Sequence, residues 1–181
     1  MTSLALVVID EQIGAFDGKL IPPIYMADQL LTQTMKLIEA ARDANVPVVY
    51  IQHCADEGLL VKGTEAWPIH PMIAPKKGDH VIEKFASSAF EGTSLGNTLS
   101  HEGVQSVVVC GLQSEHCISN TTLDALSRGM SVYVGGDAHS TWPTEEVSAA
   151  EIIAERNEDL AKNGAIVTPV SELISLLASY P

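Results

Sequence analysis

The sequence predicts a three-layer α/β/α fold built on a six-stranded, mostly parallel, Rossmann-like sheet. Two observations predict it. Short, uninterrupted runs of aliphatic and β-branched residues such as LALVVI are typical of strands that are buried on both faces. These runs alternate with longer segments of helical period, an order that favours parallel strands joined by right-handed crossovers. The length of 181 residues fits a single domain over 1–181.

The predicted strands are the short apolar runs of the chain. They cover 4–9, 47–53, 80–84, 106–111, 131–136 and 165–168. Residues 54–79 lie between the second and third strands and are irregular, with several prolines and glycines. A loop of this length inside a compact domain is usually functional.

The predicted helices follow the strands and carry their own start and stop signals. They cover 26–44, 94–102, 114–128, 144–163 and the segment that begins at Pro169. Thr144 is a suitable N-cap, with Glu145 and Glu146 in the first turn. Thr168 is the predicted cap of the last helix, with Pro169 at its first position.

Composition excludes several classes of partner. The formal net charge is −13, and no cluster of lysine and arginine is visible, which argues against nucleic acid and against anionic membrane surfaces. The apolar N-terminus lacks a basic region and a cleavage site and is too short to span a membrane. We therefore expect a cytoplasmic protein that acts on a small molecule.

The three cysteines, Cys54, Cys110 and Cys117, show no disulfide framework and no zinc-binding spacing. Cys54 and Cys110 lie in or just after apolar strands and are expected to be inert core thiols. Cys117 instead follows a strand at the start of a predicted helix.

Three chemically different side chains follow the ends of predicted strands. Asp10 ends the first strand, Lys84 ends the third, and Cys117 follows the fourth. Because ligand sites in such sheets lie at the carboxyl ends of the strands, an acid, a cation and a thiol should meet there. The helix N-terminus and Lys84 are expected to favour the thiolate, and Asp10 can accept the thiol proton and deliver it to a leaving amine.

These residues resemble a known family. VVIDEQ, KFASSAF and GLQSEHCISNTTLDALSRGMSVYVGGDAHST are similar, in this order, to motifs of the isochorismatase-like cysteine hydrolases. The resemblance implies the isochorismatase-like hydrolase fold and a catalytic triad of Asp10, Lys84 and Cys117. It also implies a cis peptide between Leu112 and Gln113, an oxyanion hole formed by the backbone N–H groups of Gln113 and Cys117, and a homo-oligomer. Trp67 and Ile69 offer a possible contact patch for that oligomer.

The sequence departs from the metal-binding branch of that family. The nicotinamidase branch carries an Asp-x-His pair after the second strand, where this chain has His53 and Ala55. One imidazole without a partner at ligand spacing is a poor metal site. We therefore expect no metal and no cofactor, as in the branch near the N-carbamoylsarcosine amidases and ureido hydrolases. His116 should point away from Cys117 along its helix.

Side chains of the flanking loops are candidates for the substrate pocket, although core packing explains the aromatic ones equally well. The candidates are Gln12, Phe16, His53, Trp67, His70, Phe90 and His139.

The family includes amidases, carbamoyl hydrolases, ureido hydrolases and a vinyl-ether hydrolase. A thiol nucleophile suits an acyl carbon, which favours hydrolysis of a small amide, carbamoyl or ureido substrate through a thioester-type intermediate on Cys117. Three alternatives remain: a vinyl-ether hydrolase, a catalytically idle binding module, and a redox protein that uses Cys117. The redox protein has no resolving cysteine adjacent in sequence, so Cys110 would have to approach in space.

Overall fold

The computed structural model describes residues 4–180. Six strands form one parallel sheet in the order β3-β2-β1-β4-β5-β6, so the predicted α/β/α fold is confirmed. The strands are β1 (Leu4–Ile9), β2 (Val48–His53), β3 (His80–Lys84), β4 (Ser106–Leu112), β5 (Ser131–Ser140) and β6 (Ile166–Thr168). The helices are α1 (Ala27–Asp43), α2 (Leu95–His101), α3 (Ser119–Ser127), α4 (Ala149–Lys162) and α5 (Val170–Ser179).

Alternation along the central strands divides the core into two layers. On β1, Ala5, Val7 and Ile9 pack with residues of α2, α3 and α4 on one face of the sheet. Leu4, Leu6 and Val8 pack with α1 and α5 on the other face. All six side chains are almost completely buried, as expected for a central parallel strand covered by helices on both sides.

A close approach between β1 and β4 fixes the place where the site forms. Gly111 has φ 119, and a Cβ atom built on it would lie 2.1 Å from the carbonyl oxygen of Ile9. Only glycine fits so tight a contact in that conformation. The contact brings the chain that follows β4 directly beside the chain that follows β1.

Two expected helix starts differ from the structure. The predicted helix 114–128 begins as a wide turn, Ser114–Ile118, in which the Ile118 N–H donates to the carbonyl of Gln113, and α3 starts only at Ser119. The predicted helix 144–163 starts at Ala149, because Ser148 and Glu151 form a reciprocal capping box. Thr144 instead accepts the N–H groups of Glu146 and Val147 within a turn before the helix.

The end of the fifth strand and the start of the last helix also differ from the prediction. The fifth strand continues past the predicted residue 136 to Ser140, through a register shift against β4 between Val109 and Gly111. The last helix begins at Val170, one residue after Pro169, and no side-chain oxygen of Thr168 caps it. The Asp137 carboxylate accepts the Val170 N–H instead, at 2.8 Å. No helix between residues 4 and 180 is long and apolar enough to cross a membrane.

Candidate active site

The structure brings Asp10, Lys84 and Cys117 into direct contact. Lys84 Nζ lies 2.9 Å from Asp10 Oδ2 and 3.1 Å from Cys117 Sγ. Lys84 is completely buried and Asp10 is 4% exposed, so the ion pair is shielded from water. Removal of either partner would destabilise the folded protein, because the other partner would remain as an unpaired buried charge.

Lys84 has more hydrogen-bond acceptors than it has protons. Its ammonium group also lies 3.1 Å from His53 Nδ1 and 3.1 Å from the carbonyl oxygen of Ala86. An ammonium donates three hydrogen bonds, so its four neighbours compete for them. Burial lowers the pKa of Lys84, but Asp10 and Cys117 raise it more, and the net pKa is above its ordinary value. Lys84 is therefore a fixed cation at the centre of the site.

The pKa of the Cys117 thiol is raised to about 11 in total, because burial raises it most, the Asp10 carboxylate raises it further, and Lys84 lowers it. Lys84 lowers the pKa of the thiol, as expected, but burial and the Asp10 carboxylate outweigh it, so the sulfur is not a thiolate at rest. Cys117 lies in the wide turn before α3, and burial has the largest influence on its pKa. The thiol is protonated at neutral pH and needs a base. Asp10 Oδ1 is buried and has no hydrogen-bond partner within residues 4–180, so it is free to accept a proton.

A cavity of about 220 Å³ opens beside this cluster. Its wall consists mainly of small and aliphatic residues from the ends of β1 and β4 and from the loop after β2, with one indole and two imidazoles. The lining residues are Asp10, Ala15, His53, Ala55, Leu59, Leu60, Leu112, Gln113, His116, Cys117 and Trp142. The peptide bond between Leu112 and Gln113 in this wall is cis.

His53 is the one predicted pocket residue that lines the cavity. Gln12 is fully buried and its side-chain amide is bonded to the backbone N–H and carbonyl of His53. Trp67 donates its indole N–H to the same carbonyl, at 3.1 Å. Neither residue lines the cavity as predicted, and both instead hold the backbone of His53 in place.

Three further predicted pocket residues lie elsewhere. Phe16 packs against the ring of His70, whose Nδ1 accepts the N–H of Met72. Phe90 is buried in the core between the sheet and α2, with the Arg128 guanidinium 4.6 Å from its ring centre. Apolar burial and local hydrogen bonds, rather than the cavity, account for these three residues.

His139 belongs to a buried network behind the wide turn. Its Nδ1 lies 2.8 Å from Ser114 Oγ and its Nε2 lies 2.8 Å from Asn157 Oδ1. Burial lowers the pKa of His139, against a smaller effect of the Asn157 hydrogen bond, so the ring is neutral. It supports the turn that carries Cys117 and does not line the cavity.

Several lining residues were not found from the sequence. Trp142 follows the extended β5, which the sequence predicted to end earlier. His116 was expected to point away from Cys117, and the wide turn places it in the lining instead. Leu59 and Leu60 come from the irregular loop, where no periodicity indicates which side chains face inward.

The other two thiols are buried, as expected for core residues, and all three cysteines are free. Cys110 packs in the layer beneath α1 and α5, whereas Cys117 packs against the layer on the opposite face of the sheet. Cys110 is therefore not placed to act as a resolving cysteine for Cys117. Within residues 4–180, no group of three or more His, Cys, Asp or Glu side chains is arranged to hold a metal ion.

The predicted oligomer contact is also different in the structure. Trp67 and Ile69 are half-buried against their own chain, with Ile69 packed on the layer beneath α1. They do not form an exposed contact patch. A homo-oligomer stays a prediction, and the mass of the protein in sedimentation tests it.

Several known proteins are similar to this chain in sequence and in fold. A streptothricin hydrolase from Streptomyces noursei is 34% identical over 140 residues, which are 76% of this chain and 54% of that protein. An N-carbamoylsarcosine amidase from Arthrobacter sp. is 31% identical over 121 residues, which are 56% of this chain and 46% of that protein. The chain thus spans about half the length of these two relatives.

The solved structure of a cysteine hydrolase from Pseudomonas syringae pv. phaseolicola has the same fold. It superposes with a TM-score of 0.92 at 24% identity, covering 98% of this chain and 93% of that one. The sequence model of the isochorismatase domain matches residues 4–170, nearly the whole chain and all the strand ends that surround the cavity. The protein therefore belongs to the isochorismatase family.

Proposed function

We propose that this protein hydrolyses the C–N bond of a small amide, carbamoyl or ureido compound, with Cys117 as nucleophile. The observation that carries the proposal is the contact of Lys84 Nζ with both Asp10 and Cys117 beside the cavity. Membership of the family supports hydrolysis, and the two similar proteins named above are a hydrolase and an amidase.

The first half of the reaction uses the protonated thiol. Asp10 Oδ1 takes the proton as the sulfur attacks the carbonyl carbon of the substrate, and Lys84 stabilises the negative charge that develops on the sulfur. The backbone N–H groups of Gln113 and Cys117 are the proposed donors to the oxyanion. Within residues 4–180, the Gln113 N–H has no other acceptor. Collapse of the intermediate breaks the C–N bond, and Asp10 returns its proton to the departing amine.

The second half releases the acid. Asp10, now a carboxylate again, takes a proton from a water molecule that attacks the thioester carbon. The C–S bond breaks, the thiolate leaves beside Lys84, and Asp10 returns the proton to it. The sum is one amide and one water converted to one acid and one amine, with the enzyme restored. The mechanism that we propose for this chain uses no metal in any of these steps.

The variant Cys117→Ala tests the proposal. We expect this variant to release no ammonia from a panel of small amides. It should keep its fold, since the loss of so small a side chain costs on the order of 1 kcal/mol of stability. Cys54→Ala and Cys110→Ala are the matched controls and should keep most of the activity. Retained turnover in Cys117→Ala contradicts the nucleophile assignment, and circular dichroism separates lost chemistry from lost structure.

A further inference from the structure

We propose that the cavity selects a small uncharged amide whose apolar acyl part carries one hydrogen-bond acceptor, and that His53 donates to that acceptor. This inference rests on the proposed function, because it states which amides the same cavity accepts. Three properties of the lining carry it: its charge, its apolar wall and the tautomer of His53.

The lining contains a carboxylate but no lysine or arginine. Lys84 lies beneath it, completely buried and already in contact with Asp10, Cys117 and two further acceptors. His116 is the other group able to carry positive charge, and its Nε2 lies 3.8 Å from the Glu115 carboxylate. A substrate carboxylate would enter an apolar space next to Asp10 without a cation to pair with, which is unfavourable.

The remaining wall suits an apolar acyl group. Leu59 and Leu60 line one part of the cavity and Trp142 another. The indole N–H of Trp142 donates to the carbonyl of Pro22 at 2.7 Å, so the indole has no donor left for a substrate. Contacts with these three side chains gain free energy only from apolar surface.

The contact with Lys84 fixes the tautomer of His53. An ammonium has no lone pair, so His53 Nδ1, 3.1 Å away, accepts the hydrogen bond and carries no proton. Burial and the nearby Lys84 lower the pKa of His53, against the Asp10 carboxylate, so the ring is neutral and its proton lies on Nε2. Within residues 4–180, Nε2 has no hydrogen-bond partner. His53 therefore has a donor left for a substrate acceptor.

The rest of His53 is held firmly. Gln12 accepts its backbone N–H at 2.8 Å, and both Gln12 and Trp67 donate to its carbonyl. An imidazole on such a fixed backbone discriminates well, because a buried donor without a partner is penalised when the substrate lacks the acceptor.

Charge selection is tested with amides that are equal in size and differ in charge. The pairs are 3-carbamoylbenzoate against 3-nitrobenzamide, and succinamate against 3-nitropropanamide. We expect kcat/KM for the uncharged member of at least one pair to exceed that of its carboxylate partner by about 100-fold. Equal or better turnover of the carboxylates overturns the inference and leaves the proposed function standing. Absence of Cys117-dependent ammonia release from every amide overturns both.

The role of His53 is tested with the three pyridinecarboxamides against benzamide. In the parent, one pyridine isomer should exceed benzamide in kcat/KM by about tenfold, mainly through KM. His53→Leu should remove this preference, and His53→Gln, which keeps an N–H donor, should retain part of it. The exposed His101 serves as control, and His101→Leu should keep the preference. An equal loss on all four substrates in His53→Leu would mean that His53 acts only through Lys84, and it would overturn the assignment.

Discussion

Two carboxyl–thiol pairs lie on opposite faces of the sheet at the ends of β1 and β4. Asp10 and Cys117 form one pair, and the adjacent residue Glu11 interacts with Cys110 to form the other. Lys84 contacts both members of the first pair. The second pair has Thr34 of α1 in the corresponding place, and its hydroxyl donates to Glu11 Oε1 at 2.6 Å.

The pairs differ chiefly in the cation and in access to the cavity. The pKa of Glu11 is raised to about 8, because burial raises it more than the Thr34 hydrogen bond lowers it. Burial and Glu11 raise the pKa of Cys110 well above its ordinary value. Without a cation, both groups of the second pair are neutral at neutral pH. In the proposed mechanism, Asp10 and Cys117 exchange a proton because a lysine stabilises their anions and a cavity admits the substrate.

Removal of the cation should have the largest effect. We expect Lys84→Met to lower kcat/KM by at least about 10³-fold, because the thiolate and the buried Asp10 both lose their counter-ion. The pKa of Cys117 should rise above about 11, since Lys84 lowers it in the parent. Alkylation of Cys117 by iodoacetamide at neutral pH should therefore slow.

The matched control for the lysine is Thr34→Val, which changes the corresponding residue of the second pair. It should leave kcat/KM close to the parent value, because Thr34 contacts Glu11 on the far side of the sheet. An active Lys84→Met protein, or a Thr34→Val protein as inactive as Lys84→Met, would contradict the comparison.

Replacement of the base should separate reactivity from turnover. Asp10→Asn removes the carboxylate that raises the pKa of Cys117, so the thiolate forms more easily and iodoacetamide alkylation should accelerate. The same variant loses the proton acceptor and donor, and turnover should fall by about 10²–10⁴-fold. Measured together, the two rates should move in opposite directions. A parallel loss of both would instead indicate that Asp10 only maintains the local structure.

The proximity of Asp10, Lys84 and Cys117 could be predicted from the sequence, and the limits of that prediction have physical causes. Asp10, Lys84 and Cys117 follow short buried strands, and parallel strands bring their carboxyl ends together, so their proximity needed no side-chain detail. The raised pKa of Cys117 could not be predicted, because it depends chiefly on how deeply the sulfur is buried and then on the balance between the Asp10 carboxylate and the Lys84 ammonium. Trp142 was missed because β5 continues through an irregular register, and His116 because a wide turn replaced the first turn of a regular helix.

Replacement of the second acid should have the smallest effect on turnover and should change only stability. Glu11 loses its proton near pH 8 in the folded protein and, with an ordinary pKa of 4.5, much earlier in the unfolded chain. Its contribution to the free energy of unfolding is therefore complete below pH 4.5 and declines as the pH rises to about 8, by about 1.4 kcal/mol per pH unit at most. Glu11→Gln should remove this decline and leave kcat unchanged. Urea unfolding of both proteins at pH 5, 6, 7 and 8 measures it, and parallel pH profiles would show that Glu11 is not protonated in the folded protein at neutral pH.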